Sequence, residues 1–107
     1  MLEGSIRVVS MRKSGTQPDP HETLIRIDRD TPWGNQFEIG IHGTRDEVID
    51  LFENNQSEKH REFVCMIAKR VLSGENVALI CWCSPSRCHG DVYKKAILRE
   101  LNKFLPL

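Results

Sequence analysis

Apolar and polar positions along the chain follow two periods, which predict strands mixed with helices. Alternation of apolar residues predicts strands over residues 5–11 and 23–28, and an unbroken apolar run predicts another over 77–83. Residues 37–41 are predicted as a short edge strand. Because the 77–83 run is apolar on both faces, we expect it in the middle of a parallel or mixed sheet covered by helices.

Three stretches with a period near 3.6 predict helices. The first begins at Thr44-Arg45-Asp46-Glu47, which matches a capping box, and ends near residues 54–57. The second spans about 58–72 and is followed by Gly74, a natural left-handed C-cap. The third spans about 88–104. The predicted fold class is therefore α/β: a small single domain over residues 1–107, a three-layer sandwich with a short, mostly parallel sheet and helices on both faces.

Length and charge narrow the functional classes. A chain of 107 residues can bury one modest core. The charges of fifteen basic and fifteen acidic residues cancel, so the chain lacks the net positive charge that nucleic-acid binding requires. Nucleic-acid partners are therefore disfavoured. No apolar stretch approaches the roughly 20 residues that span a membrane, and the N-terminus has no secretory signal. We therefore expect a cytoplasmic protein without membrane contact and with reduced cysteines; Cys65, within a helical apolar pattern, is expected in the core.

Chemistry-bearing side chains concentrate in residues 81–91, which read Cys-Trp-Cys-Ser-Pro-Ser-Arg-Cys-His-Gly-Asp. This segment joins the predicted buried strand to the third helix. Open α/β sheets place ligands at such junctions, and the free N–H groups of a helix N-terminus attract anions. Cys88, beside Arg87 at the helix start, is expected to have a lowered pKa and to be alkylated faster than Cys65 or Cys81.

Three interpretations of this segment stay open. In the structural one, small thiols such as Cys81 fill a tight corner and His89 caps the helix. In the second, Cys-x-Cys-x4-Cys-His supplies four zinc ligands, although this is not the usual spacing, and no metal ligand is assigned. In the third, the segment binds an anionic small molecule or acts on it, with Cys88 as nucleophile and His89 or Asp91 as base.

Other residues are candidates for the same crevice. Arg12 and Lys13 follow the first strand and are candidate phosphate contacts, and the Trp33-Gly34-Asn35 turn supplies an aromatic ring and an amide. Arg45 opposes the dipole at a helix start, which favours a functional or pairing role. The histidines at 21, 42 and 60 receive no role. The predicted ligand-binding set is Arg12, Lys13, Trp33, Gly34, Asn35, Cys83, Arg87 and Gly90.

Four segments together resemble a known family. They are Arg12-Lys13, the turn at residues 33–37 (with Gln36 where the family usually has proline), the helix start at 43–49, and the cysteine block at 81–92. These segments resemble a small phage and bacterial family without assigned function, domain of unknown function 4326. The resemblance covers most of the chain and implies a Rossmann-like α/β fold. It implies no activity.

The predicted function is binding of a nucleotide-like or other phosphorylated small molecule at the junction around residues 83–89. Chemical modification of that molecule is left open, so whether the chain is an enzyme is undecided. The predicted partner is an anionic small molecule, a nucleotide or a sugar phosphate, and no cofactor is assigned. The alternative is a zinc-stabilised interaction module of a phage protein that inhibits or sequesters a host protein in the host cytoplasm. A homodimer is a further option.

Overall fold

The computed structural model describes residues 4–10, 17–81 and 88–103. In chain order, these residues form strands and helices whose bounds are β1 Ser5–Ser10, β2 Thr23–Arg26, α1 Arg45–Asn54, α2 Glu58–Leu72, β3 Asn76–Cys81 and α3 His89–Asn102. The predicted α/β class is confirmed. No helix in this described part of the chain has the length and apolar character needed to cross a bilayer.

The sheet has the order β1-β3-β2, and both strand pairs are parallel. Strand β3 lies in the middle of the sheet, as its unbroken apolar sequence predicts. Val77, Ala78 and Leu79 are all fully buried, and only a middle strand can bury both faces. The prediction of a central, buried strand flanked by helices is confirmed. Since the strands are parallel, their carboxyl ends meet at one edge of the sheet.

The described helices pack on one face of the sheet. The strand residues Ile6, Val77 and Leu79 point to that face and join a single core cluster with side chains from all three helices. The opposite face carries Arg26 and Leu24, and Leu24 is 50% exposed. Within the described residues the arrangement is therefore two layers, where the sequence predicted three with helices on both faces. The chain runs from β1 at one edge of the sheet to β2 at the other, and α1 and α2 then connect β2 to the central strand β3.

The helix boundaries follow local signals. Thr44 Oγ1 accepts from the Glu47 N–H at 3.3 Å and Glu47 Oε1 accepts from the Thr44 N–H at 2.9 Å, which confirms the capping box of α1. Helix α2 has the predicted bounds, and Gly74 follows it with a φ of 104°. Helix α3 begins one residue after the predicted start, with Cys88 as its N-cap.

Two local predictions are also wrong. Residues 37–41 form no strand: there is an isolated bridge between Ile39 and Gly43, and Gly40 and Gly43 take positive φ values that turn the chain. Cys65 is exposed rather than in the core. The inward face of α2 is formed by residues such as Val64, Ile67 and Ala68, and Cys65 lies outside that stripe.

Candidate functional site

A cavity of about 220 Å³, here called the edge cavity, opens at the carboxyl edge of the sheet. Strands β2 and β3 end there and α3 begins there. Its principal polar walls are Asp28 and Arg29 after β2, Asn35 in the following turn, Cys81 at the end of β3, and Cys88 and His89 at the start of α3. The structure therefore brings Asn35, Cys88 and His89 of the predicted site to one cavity.

The two thiols of the edge cavity converge. Cys81 is the last residue of β3 and Cys88 is the N-cap of α3, and they are 1% and 2% exposed. Their sulfur atoms lie 3.0 Å apart. The Gly90 N–H donates to the Cys88 sulfur at 3.3 Å. The strand-to-helix junction thus places two sulfur atoms side by side in the cavity wall.

A hydrogen bond from His89 connects the start of α3 to the chain just after β2. The ring is buried, and its Nε2 donates to the Ile27 carbonyl, because a carbonyl oxygen only accepts. Phe52 packs edge-on against the imidazole with ring centroids 5.4 Å apart. In the neutral ring this tautomer leaves Nδ1 as the nitrogen that accepts a proton.

Asp91 and Gly90 have roles inside the helix start. The Asp91 carboxylate accepts from the Cys88 N–H at 3.0 Å and completes a capping box; Asp91 is not among the residues that line the edge cavity. At Gly90, a Cβ atom would lie 2.9 Å from Val8 Cγ1 and 3.1 Å from Ile27 Cδ1. Helix α3 therefore needs glycine there in order to approach the sheet, which gives Gly90 a packing role.

The Trp33-Gly34-Asn35 turn holds the wall of the cavity in place. Asn35 is buried; its Nδ2 donates to the Val48 carbonyl at 3.0 Å and its Oδ1 accepts from the Phe37 N–H at 2.9 Å. Trp33 stacks on Phe63 with ring centroids 4.7 Å apart and so belongs to the core rather than to the edge cavity. Of this turn, only Asn35 reaches the edge cavity.

A second cavity of about 520 Å³, here called the turn cavity, adjoins the first. Gly34 lines it, and it shares Arg29 and Asn35 with the edge cavity. Lys59 and His60, at the start of α2, form its opposite wall. Four predicted ligand-binding residues, Arg12, Lys13, Cys83 and Arg87, lie outside the described residues.

Two charged residues that follow β2, Asp28 and Arg29, were not predicted from the sequence. Asp28 is buried, and Arg26 donates to both its oxygens, at 2.9 and 2.6 Å. The hydrogen bonds from Arg26 hold the pKa of Asp28 below its usual value. Arg29 donates to the Asn35 carbonyl at 2.6 Å and to the Phe37 carbonyl at 3.1 Å. The signal was available: residues 26–30 place four charges at the end of a strand, at the edge where parallel strands end.

His60 was also missed. It is 3% exposed, and its Nδ1 accepts from the Ser57 N–H at 2.9 Å. Burial, reinforced by electrostatic interaction with Lys59 and His89, holds the pKa of His60 below its usual value. No sequence spacing pointed to this residue, because only the packing of α2 against α3 brings it near His89 and Tyr93.

The described residues do not assemble a metal centre. No group of three or more histidine, cysteine, aspartate or glutamate side chains in this part of the chain is arranged to hold an ion. The sulfurs of Cys81 and Cys88 are 3.0 Å apart. Two thiolates on one tetrahedral zinc, with bonds of about 2.3 Å, would lie roughly 3.8 Å apart.

One family model matches the chain over residues 9–99, and the family is described as "Domain of unknown function (DUF4326)". The chain belongs to this family. The match runs from β1 to the last turn of α3 and includes every wall of the edge cavity, which confirms the family resemblance read from the sequence. No curated protein and no solved structure matches the chain. The family description assigns no activity, and the Rossmann-like fold and the phage or bacterial origin stay predictions.

Proposed function

We propose that the chain binds a nucleotide-like or other phosphorylated small molecule in the edge cavity. The observation that carries the proposal is that two arginines, Arg29 and Arg45, line a cavity formed where the parallel strands end and α3 begins. Guanidinium groups are well suited to phosphate. The open edge of an α/β sheet is the usual location for such ligands.

The arginines, rather than the backbone of α3, would supply most of the attraction for phosphate. The Cys88 N–H is already used by Asp91, and the Gly90 N–H by the Cys88 sulfur. The positive end of the helix dipole still favours an anion nearby. This refines the sequence-based expectation, in which the free N–H groups of α3 held the ligand.

The carboxylates of the cavity favour a ligand that carries hydroxyl groups as well as phosphate. Asp28 and Asp30 also line the edge cavity. Arg26, which is outside the lining, lies 2.6 Å from Asp28 and 3.7 Å from Asp30 and offsets part of their negative charge. A carboxylate accepts hydrogen bonds from sugar hydroxyls. A sugar phosphate or a nucleotide therefore suits this lining better than a simple anion does.

The size of the edge cavity points to a small ligand. Its volume of about 220 Å³ is below the roughly 300–1,000 Å³ of typical ligand pockets. A sugar phosphate fits this volume, whereas a whole nucleotide would extend past Arg29 and Asn35 into the turn cavity. If the bound molecule is also modified, Cys88 is the nucleophile in the cavity wall and His89 Nδ1 the candidate base.

A thermal-shift screen followed by calorimetry tests the proposal. We expect ribose 5-phosphate or adenosine 5′-monophosphate to raise the melting temperature, and ribose or adenosine to have little effect. Arg45→Gln should weaken binding by about tenfold or more, the value of one charge-assisted hydrogen bond. The melting temperature and circular dichroism of the unliganded variant check that Arg45→Gln leaves the fold intact.

The matched control is Arg99→Gln. Arg99 is an exposed arginine in the last turn of α3 and lines neither cavity. Its replacement should leave binding unchanged. The proposal fails if no phosphorylated compound raises the melting temperature, or if both arginine variants bind equally well.

A zinc-stabilised interaction module is the second candidate. The cysteine-histidine motif favours it, since Cys81, Cys83, Cys88 and His89 are four possible zinc ligands in one segment. Metal analysis separates the candidates. Stoichiometric zinc in the purified protein favours the module, and a metal-free protein that binds sugar phosphates favours the ligand site.

A further inference from the structure

We propose that Cys81 and Cys88 form a redox-active dithiol, which a hydroperoxide oxidises to an intramolecular disulfide. The proposal goes beyond ligand binding and does not depend on it. It stands on two cysteine sulfurs that lie 3.0 Å apart, one at the end of β3 and one at the start of α3. No other pair of thiols in the described residues is brought into contact.

The geometry requires little movement. A disulfide bond is about 2.05 Å long, so the sulfurs need to approach by only about 1 Å. Both thiols are almost fully buried, but both line the edge cavity. A small oxidant such as hydrogen peroxide can reach them through that cavity, whereas a bulky disulfide reagent is hindered.

Cys88 is the thiol that reacts first. The Gly90 N–H donates to its sulfur at 3.3 Å and the positive end of α3 lies beside it, and both stabilise negative charge on sulfur. Its thiolate attacks one peroxide oxygen, the O–O bond breaks, and Cys88 becomes a sulfenic acid. The second oxygen leaves as hydroxide and takes up the thiol proton to form water.

Cys81 then resolves the sulfenic acid. Its sulfur attacks the Cys88 sulfur, the S–S bond forms, and the S–OH bond breaks. The hydroxide leaves with the Cys81 proton as a second water. In total, two thiols and one hydrogen peroxide give one disulfide and two waters. Oxidation changes the wall of the edge cavity and removes Cys88 as a nucleophile.

The experiment uses the full chain, reduced and then treated with hydrogen peroxide. The peroxide is removed, and the remaining thiols are blocked with N-ethylmaleimide in denaturant so that buried thiols also react. The protein is then digested and mapped by mass spectrometry. We expect the loss of two free thiols and a peptide that links Cys81 to Cys88, both reversed by dithiothreitol. Cys65→Ser is the control: Cys65 is exposed on α2, so this variant should form the same link.

Two variants test the assigned order. Cys88→Ser keeps a good N-cap side chain but should form no link. In Cys81→Ala, Cys88 should accumulate as a sulfenic acid that dimedone traps. Circular dichroism checks that each variant folds, and the wild-type map decides the question if one of them does not. The proposal is overturned if folded wild-type protein forms no Cys81–Cys88 link, or if Cys83 is instead the partner of either thiol.

Discussion

At the scale of single residues, buried polar side chains concentrate at the carboxyl edge of the sheet. Asp28, Asn35 and His89 are all buried, and all line the edge cavity. His60 is buried in the wall of the adjoining turn cavity. Burying a polar group destabilises a protein unless hydrogen bonds compensate. Their concentration at the carboxyl edge therefore favours a binding site there over simple packing.

Burial also revises the expected order of thiol reactivity. The sequence favoured Cys88 over Cys65 in alkylation, because Cys88 starts a helix. In the structure Cys65 is exposed, whereas Cys88 is almost fully buried. Access limits reaction with a bulky reagent, so we now expect Cys65 to be alkylated first. The advantage of Cys88 is expected only with a small reagent such as a peroxide.

The pH dependence of stability should report the burial of His60. Its folded-state pKa lies below the usual value of 6.5, mainly because burial disfavours the imidazolium. As the pH falls through about 6.5, the unfolded chain takes up a proton that the folded chain does not, so the free energy of unfolding decreases. This loss continues until the pH reaches the lower folded-state pKa. Above about pH 7 the effect is absent.

His60→Gln should reduce that pH dependence. Glutamine at this position of α2 still accepts from the Ser57 N–H, as in a capping box, but does not titrate. Urea unfolding followed by circular dichroism between about pH 7 and pH 5 measures the difference. A variant that loses as much stability as the wild type over this range would contradict the assignment.

At the scale of helices and strands, the sequence predicted what depends on local signals. The bounds of α2, the capping box of α1 and the central strand all followed from residue period and caps. The strand-to-helix junction singled out by the sequence contains Cys88 and His89, and both line the edge cavity. The predicted strand over 37–41 failed because two glycines turn the chain there. Asp28 and Arg29 were missed although their contacts, to Arg26 and to the turn at residues 35–37, are local and the run of charges at residues 26–30 stands at the end of a strand.

Substitutions at Asp91 measure how much this residue stabilises α3 as a cap. Its carboxylate caps α3 through the Cys88 N–H. Asp91→Ala should lower the free energy of unfolding by about 1 kcal/mol, the usual effect of losing a cap. Asp91→Asn keeps an acceptor in the same place, so it should lose clearly less. Urea titrations of both variants provide the comparison. Equal losses would mean that the carboxylate charge, rather than the hydrogen bond, stabilises this helix end.

At the scale of the whole molecule, the position of the site follows from the topology. Three parallel strands end at one edge, and the chain leaves β3 there to begin α3 on the helix-covered face. The core lies between that face and the helices, with Ile27 and Leu79 fully buried within it. The sequence could not reveal that the helices share one face, because apolar residues such as Val9 and Ala78 are buried on the other face as well.

Two substitutions at the β2 edge of the sheet test this one-sided arrangement. Ile27, which extends β2 through a hydrogen bond to the Ile80 carbonyl at 3.0 Å, is fully buried on the helix face. Leu24 lies on the opposite face and is 50% exposed. Ile27→Ala should therefore lower the free energy of unfolding by about 2–5 kcal/mol, through lost burial and a residual cavity. Leu24→Ala should cost less than about 1 kcal/mol, because much of its side chain already meets water.

Urea unfolding at two protein concentrations measures both effects and decides whether the face that carries Leu24 is open in solution. If the described arrangement is complete on that side, the small effect of Leu24→Ala will be the same at both concentrations. A loss as large as that of Ile27→Ala would instead require that something covers this face. A loss that grows with protein concentration would identify the cover as a second copy of the chain, since only association depends on concentration.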